Sequence, residues 1–162
     1  MNEKQDADIL EVRYDYRGEY LVSYGETSKF FREVLLNKKL YGTQCPNCRK
    51  VWMPPREHCS DCYVTTEWIP LSGKGTVLSC TYCFYASINE DEIEAFEDIP
   101  FVLAVVKLDE ADTCFLHNVV ARERRVGVIK TGARITVAWK EKREGKVSDF
   151  YFIPEDEEGI IK

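Results

Sequence analysis

Cys45-Pro46-Asn47-Cys48 and, after ten intervening residues, Cys59-Ser60-Asp61-Cys62 form the stretch, 45–62, whose reading decides the fold. Two C-x-x-C pairs at this separation present four thiolates to one tetrahedral Zn²⁺ ion. Each pair needs a tight turn so that both sulfurs point inward. Pro46-Asn47 and Ser60-Asp61 bring turn-forming residues to the two places that need them. Two turns held by one ion make a ribbon with almost no hydrophobic core of its own, so removing the metal should unfold it. Iron suits the same four-thiolate cage. A redox pair of the thioredoxin kind would sit beside a βαβ pattern, and the sequence shows none. His58 precedes Cys59, but four cysteines complete the shell without it. A closed shell leaves no position for substrate, which marks the site as structural.

Outward from the ribbon, 162 residues fit one medium domain, or a small module joined to one domain. A hydrophobic share of 44% supports a real core, and a net charge of −6 argues against non-specific binding to phosphate backbones. Residues 1–6 lack the apolar run of a secretory signal. Seven cysteines without such a signal favour a reducing cytoplasm and metal binding over a disulfide scaffold. No stretch is long and apolar enough to cross a membrane.

The flanks divide the chain into an N-terminal arm and helix (1–40), the zinc ribbon (41–71), a barrel (72–154) and an acidic tail (155–162). Residues 9–24 read as a short hairpin or an extended arm. Thr27 and Ser28 are candidate caps for a helix to about Leu36, with Phe30, Phe31, Val34 and Leu35 as an apolar stripe. That stripe serves either the chain's own core or a partner. Val51-Trp52-Met53-Pro54-Pro55-Arg56 links the cysteine pairs, the Pro-Pro step keeping it extended while Trp52 covers the metal-bearing turns. Ser72-Gly73-Lys74-Gly75 is a turn that opens the second module.

Strand periodicity begins at Thr76. In 76–85, Leu78, Cys80, Tyr82 and Phe84 share one face, while Val77, Ser79, Thr81, Cys83 and Tyr85 share the other. Cys80 and Cys83 then point opposite ways and do not chelate together. The run 89–98 is an acidic loop. Further strands are expected at 101–106, 113–120, 134–139 and 147–153, with a turn at Asp109-Glu110-Ala111-Asp112. Five strands without crossover helices suggest a small barrel, closed or partly open. The fold class is therefore mainly β with an N-terminal helix, a zinc ribbon and a five-stranded OB-like barrel.

Phe30-Phe31-Arg32-Glu33, Leu40-Tyr41-Gly42-Thr43-Gln44-Cys45-Pro46-Asn47-Cys48, the Pro-Pro-Arg link and Ser72-Gly73-Lys74-Gly75-Thr76-Val77 occur in that order. This succession resembles the acyl-CoA-associated family with a rubredoxin-like zinc ribbon and an OB domain, once labelled only as a domain of unknown function. The resemblance covers about residues 24–154. It implies two N-terminal helical elements, and an accessory subunit working beside thiolase-like and related acyl-CoA enzymes. The segment Asp109-Glu110-Ala111-Asp112-Thr113-Cys114-Phe115-Leu116-His117 looks most like members paired with thiolases. The benzoylsuccinyl-CoA thiolase of anaerobic aromatic degradation is one such partner type.

The chain shows no autonomous active site. Its two histidines are His58 and His117, and the odd spacing from Cys114 puts His117 on the opposite strand face. The expected function is a non-catalytic, zinc-containing accessory subunit of a thiolase-type enzyme acting on β-ketoacyl-CoA. The expected zinc ligands are Cys45, Cys48, Cys59 and Cys62. Candidate CoA contacts at a hetero-oligomeric interface are Trp52, Arg56, Arg122, Arg124 and Arg125, without a defined CoA motif. The alternative is a single-stranded nucleic-acid module, because OB barrels stack bases on aromatic side chains.

Overall fold

The computed structural model describes residues 18–84, 101–123 and 125–157. The acidic run 89–98, most of the 9–24 arm, Arg124, the Val34 and Leu35 side chains and the end of the tail lie outside the described residues.

Helix α1 spans Ser28–Asn37 after a 3-10 turn at Gly25–Thr27. Thr27 precedes the helix without capping it, since its hydroxyl donates to the Tyr24 carbonyl. Lys38 ends the helix in the left-handed region at φ 51°. Where the resemblance implies two N-terminal helical elements, the described residues before β1 hold this one α-helix and the 3-10 turn. The two phenylalanines of the stripe turn inward. Phe30 is 6% exposed and meets Phe150 edge-on at 6.3 Å, while half-buried Phe31 stacks on Tyr24 at 4.1 Å. Of the two roles open to the stripe, Phe30 therefore takes the chain's own core.

Strand β1 (Leu40–Gln44) lies between β2 (Val51–Trp52) and β3 (Glu67–Leu71), antiparallel to both. The barrel follows: β4 (Lys74–Cys83), β5 (Phe101–Leu108), β6 (Phe115–Val119), β7 (Arg134–Trp139) and β8 (Phe150–Pro154). Its order is β4-β5-β6-β8-β7, with β7 closing on β4 and a lone parallel pairing of Val119 with Phe152 between β6 and β8. Closure removes the free edges of the sheet and makes this a five-stranded OB-fold barrel. The last strand starts later than periodicity indicated, because residues 147–149 form a 3-10 turn first. The buried Asp149 carboxylate explains that turn: one of its oxygens accepts the N–H groups of Glu144, Gly145 and Lys146.

The two-residue alternation expected in β4 fails at one place. The register against β5 shifts between Val77 and Ser79, leaving Leu78 bulged outward at 44% exposed. Val77, Cys80 and Tyr82 consequently share the core-facing side, and the parity read from the sequence is wrong after the bulge. Gly75, read as part of a turn, is already in β4. A side chain there would meet the Lys107 carbonyl oxygen at 2.5 Å.

One apolar core runs through both sheets. Leu40, Val51, Met53 and Leu71 from the ribbon pack with Val77, Val106, Leu108 and Phe152 from the barrel. Among the described residues, no helix is long and apolar enough to cross a membrane.

Candidate metal centre

The two cysteine turns are built by the same hydrogen bonds. The Cys45 N–H donates to the Lys50 carbonyl (2.9 Å), and the Arg49 N–H returns to the Cys45 carbonyl (3.0 Å). In the second turn, Cys59 N–H donates to the Val64 carbonyl (3.0 Å) and Tyr63 N–H to the Cys59 carbonyl (2.9 Å). The Cys48 N–H also points at Cys45 Sγ, at 3.5 Å. These turns bring all four sulfurs within 4.8 Å of one another, with Cys48 Sγ and Cys59 Sγ 3.7 Å apart. A tetrahedron with Zn–S bonds of about 2.3 Å has sulfur–sulfur edges of about 3.8 Å, so the donor set fits such an ion in both chemistry and size.

Cys62 and Cys59 are pushed in opposite directions. Hydrogen bonding with Cys48, then burial, pushes Cys62 up to about 12. Burial also pushes Cys59 upward, but the backbone N–H groups of Asp61 and Cys62 outweigh it and bring that thiol down to about 7. Cys45 and Cys59 are buried against Trp52, whereas Cys48 is exposed.

Trp52 and Arg56 come together at this wall. The Arg56 guanidinium lies 4.7 Å from the Trp52 ring centre, and the Lys50 ammonium 4.5 Å from it. Arg56 also donates to Ser60 Oγ at 2.8 Å, and Lys50 pairs with Asp61 at 2.9 Å. Two cations stacked on one ring thus hold both residues between Cys59 and Cys62, and they oppose the negative charge of a tetrathiolate. Arg122 and Arg125 lie elsewhere, in the exposed segment after β6, where Arg125 pairs with Glu123. Cys114 is exposed and His117 buried, so they form no thiol–imidazole pair.

Sequence reasoning missed what holds the link between the cysteine pairs. Pro54 and Pro55 have no N–H, so Met53 and Arg56 are the donors at its ends. Each is matched by a threonine hydroxyl. Thr43 accepts from the Arg56 N–H and donates to the Arg56 carbonyl, both at 2.9 Å. Thr113 does the same for Met53, both at 2.8 Å. Asp112 adds a further pair with Val51, through its carboxylate (2.8 Å) and its own N–H (2.9 Å). The signal was the Pro-Pro step itself, which leaves two donors in need of distant acceptors.

Comparison with known proteins settles the lineage. The ChsH2 rubredoxin-like zinc ribbon domain matches residues 32–67, and the ChsH2 C-terminal OB-fold domain matches residues 68–140. The chain belongs to the ChsH2/DUF35 family. It is 31% identical over 93 residues to a DUF35 domain-containing scaffold protein of Methanocaldococcus jannaschii, and 35% identical over 88 residues to one of Methanothermobacter thermautotrophicus. These matches cover 56% and 52% of this chain and 62% of each relative's length. Among solved structures, the Ltp2-ChsH2(DUF35) aldolase has a chain that superposes with a TM-score of 0.61 at 22% identity, covering 83% of this chain and 98% of that one. A DUF35-family protein of unknown function from Sulfolobus solfataricus gives 0.57 at 17% identity, covering 81% and 87%. At these identities the two structures support the fold.

Proposed function

We propose that this chain is a non-catalytic accessory subunit of a cytoplasmic thiolase-type enzyme acting on β-ketoacyl-CoA. In this reading Zn²⁺ is held by Cys45, Cys48, Cys59 and Cys62 as a structural ion. The observation that carries the reading is the closed four-sulfur cluster beneath Trp52: it organises a surface and leaves no open coordination position for substrate. Relatives named scaffold proteins agree with a supporting role. The partner would supply the nucleophilic cysteine and the acid–base groups, and this chain would hold its active conformation or complete its CoA channel. Arg56 beside Trp52 is the first candidate for a CoA phosphate contact, with Arg122, Arg124 and Arg125 as a second patch. The division proposed is an arm and helix to residue 40, a ribbon to 71, an OB domain to 154 and a tail.

The test is reconstitution. Purified thiolase-type partner is assayed for cleavage of a β-ketoacyl-CoA with and without this chain. Activity that requires the chain supports the proposal, while full activity of the partner alone rejects an essential accessory role. The aldolase named in the similar solved complex favours a second reading, in which the partner cleaves by an aldol-type reaction. The same reconstitution with an aldolase partner separates the two. The nucleic-acid alternative is weakened by the outer face of β4–β6. There Ser79, Val105 and Leu116 share one row and Thr81, Leu103 and Asn118 the next, and Lys107, opposite Thr76, is the single cation in the paired outward rows of β4 and β5. Tight single-stranded binding that weakens steeply with salt would restore it.

A further inference from the structure

Residues 109–114 form the loop that joins β5 to β6, and successive residues of its 109–113 part are tied to different parts of the molecule. The Asp109 carboxylate takes both terminal nitrogens of Arg134 on β7, at 2.6 and 2.7 Å, and its N–H donates to the Lys74 carbonyl on β4 at 3.0 Å. The Glu110 carboxylate accepts the Ser72 N–H in the ribbon–barrel linker at 3.1 Å. Ala111 is buried at 3% exposed. Asp112 and Thr113 hold the outer edge of β2 through Val51 and Met53, as described above. A plain hairpin turn between two barrel strands requires none of these long-range contacts.

Strand β2 is fixed from two directions. It begins immediately after Lys50, whose carbonyl closes the first cysteine turn, and its free edge ends on Asp112 and Thr113. The geometry points to loop 109–113 as the coupling element through which the barrel senses whether the ribbon holds its metal. This inference rests on metal binding by the four cysteines. When the cysteine turns open, Val51 and Met53 leave their partners. The carboxylate of Asp112 and the hydroxyl of Thr113 are then unpaired, and the neighbouring Asp109 contact with β7 and the adjoining ends of β5 and β6 loosen.

The experiment uses the full chain loaded with Zn²⁺, before and after a strong chelator, with metal content and amide hydrogen exchange followed together. In the wild type, chelation should raise exchange in the ribbon and also, by ~10-fold, in residues 104–108 and 115–117. A variant with Asp112→Ala and Thr113→Val should keep its metal, and chelation should then open the ribbon while leaving 104–108 unchanged. If the double variant does not fold, Thr113→Val alone should reduce the response of 104–108 without abolishing it, because Asp112 still holds Val51, and an undiminished response overturns the role of Thr113. Asp112→Asn with Thr113→Ser, which keep the acceptors, should restore the response. A wild-type ribbon that loses metal and opens without altering 104–108 overturns the coupling. A double variant that responds like the wild type shows that the side chains of Asp112 and Thr113 do not carry the signal, and also overturns it. Folded protein that binds no metal overturns both this inference and the metal reading, and metal content distinguishes that outcome from the others.

Discussion

Arg49 and Tyr63 occupy equivalent backbone positions in the two cysteine turns. Each is the fourth residue after the first cysteine of its pair, each donates its N–H to that cysteine's carbonyl, and each is left-handed, at φ 64° and 58°. Glycine takes this conformation without the clash an L side chain meets.

Replacing Arg49 or Tyr63 with glycine should therefore stabilise the metal-loaded ribbon by roughly 0.5–1 kcal/mol each, after the added freedom of the unfolded chain is set against the relieved strain. Tyr63, at 84% exposed, has little packing to lose. Denaturant midpoints at saturating Zn²⁺ measure the effect. An unchanged or lowered midpoint for both variants would show that the side chains compensate for the strain.

Cys48→Ser should reduce bound metal below one ion per chain and loosen the ribbon, because an alcohol is a far poorer zinc ligand than a thiolate. Cys114→Ser, in an exposed thiol outside the cluster, is the control and should keep full metal content. Elemental analysis of reduced, folded protein decides between them.

His117 sets an acid limit on the barrel. It lies against Phe150 at 4.2 Å and is buried, which brings it down to about 4 from its ordinary 6.5. The Val147 backbone pulls the other way, although Nε2 has no hydrogen bond of good geometry among the described residues. Between these values the unfolded chain binds a proton that the folded chain refuses. Stability is thus fully present above pH 6.5 and falls as pH drops toward about 4, by at most ~3 kcal/mol. His117→Gln should flatten this part of the pH profile. The ribbon's acid response is common to both proteins, so the difference between their denaturation curves isolates the histidine. Parallel curves across this range would refute its role.

Phe30→Ala should cost ~3–5 kcal/mol, the usual range for removing a buried phenylalanine, whereas half-buried Phe31 should cost less. Thermal denaturation with metal content measured alongside tests the order. A larger loss for Phe31 would mean that its stack on Tyr24 matters more than the contact of Phe30 with Phe150.

Spacing carried the ribbon: two C-x-x-C pairs leave few geometries open, and five runs of alternating residues were enough to suggest the barrel. Details that depend on residues far apart in the chain were hidden. The bulge at Leu78 follows from pairing with β5, not from any glycine or proline near it. The inward turn of Phe30 depends on Phe150, and the long-range duties of Asp112 and Thr113 depend on Val51 and Met53. Arg56 was picked out as a cation beside a rigid proline step. Its stacking on Trp52 and its bond to Ser60 belong to the metal-bearing turns, and no local pattern displays them.

The backbone bonds that close each cysteine turn join residues four or five positions apart, whereas the pins on Val51 and Met53 reach 61 and 60 positions along the chain. During synthesis, all four cysteines are added before Asp112 and Thr113 exist. The ribbon's ligands are thus presented early, while the outer edge of β2 must wait for the β5–β6 hairpin. The order of synthesis thus places the four thiolates ahead of the residues that fix the outer edge of β2.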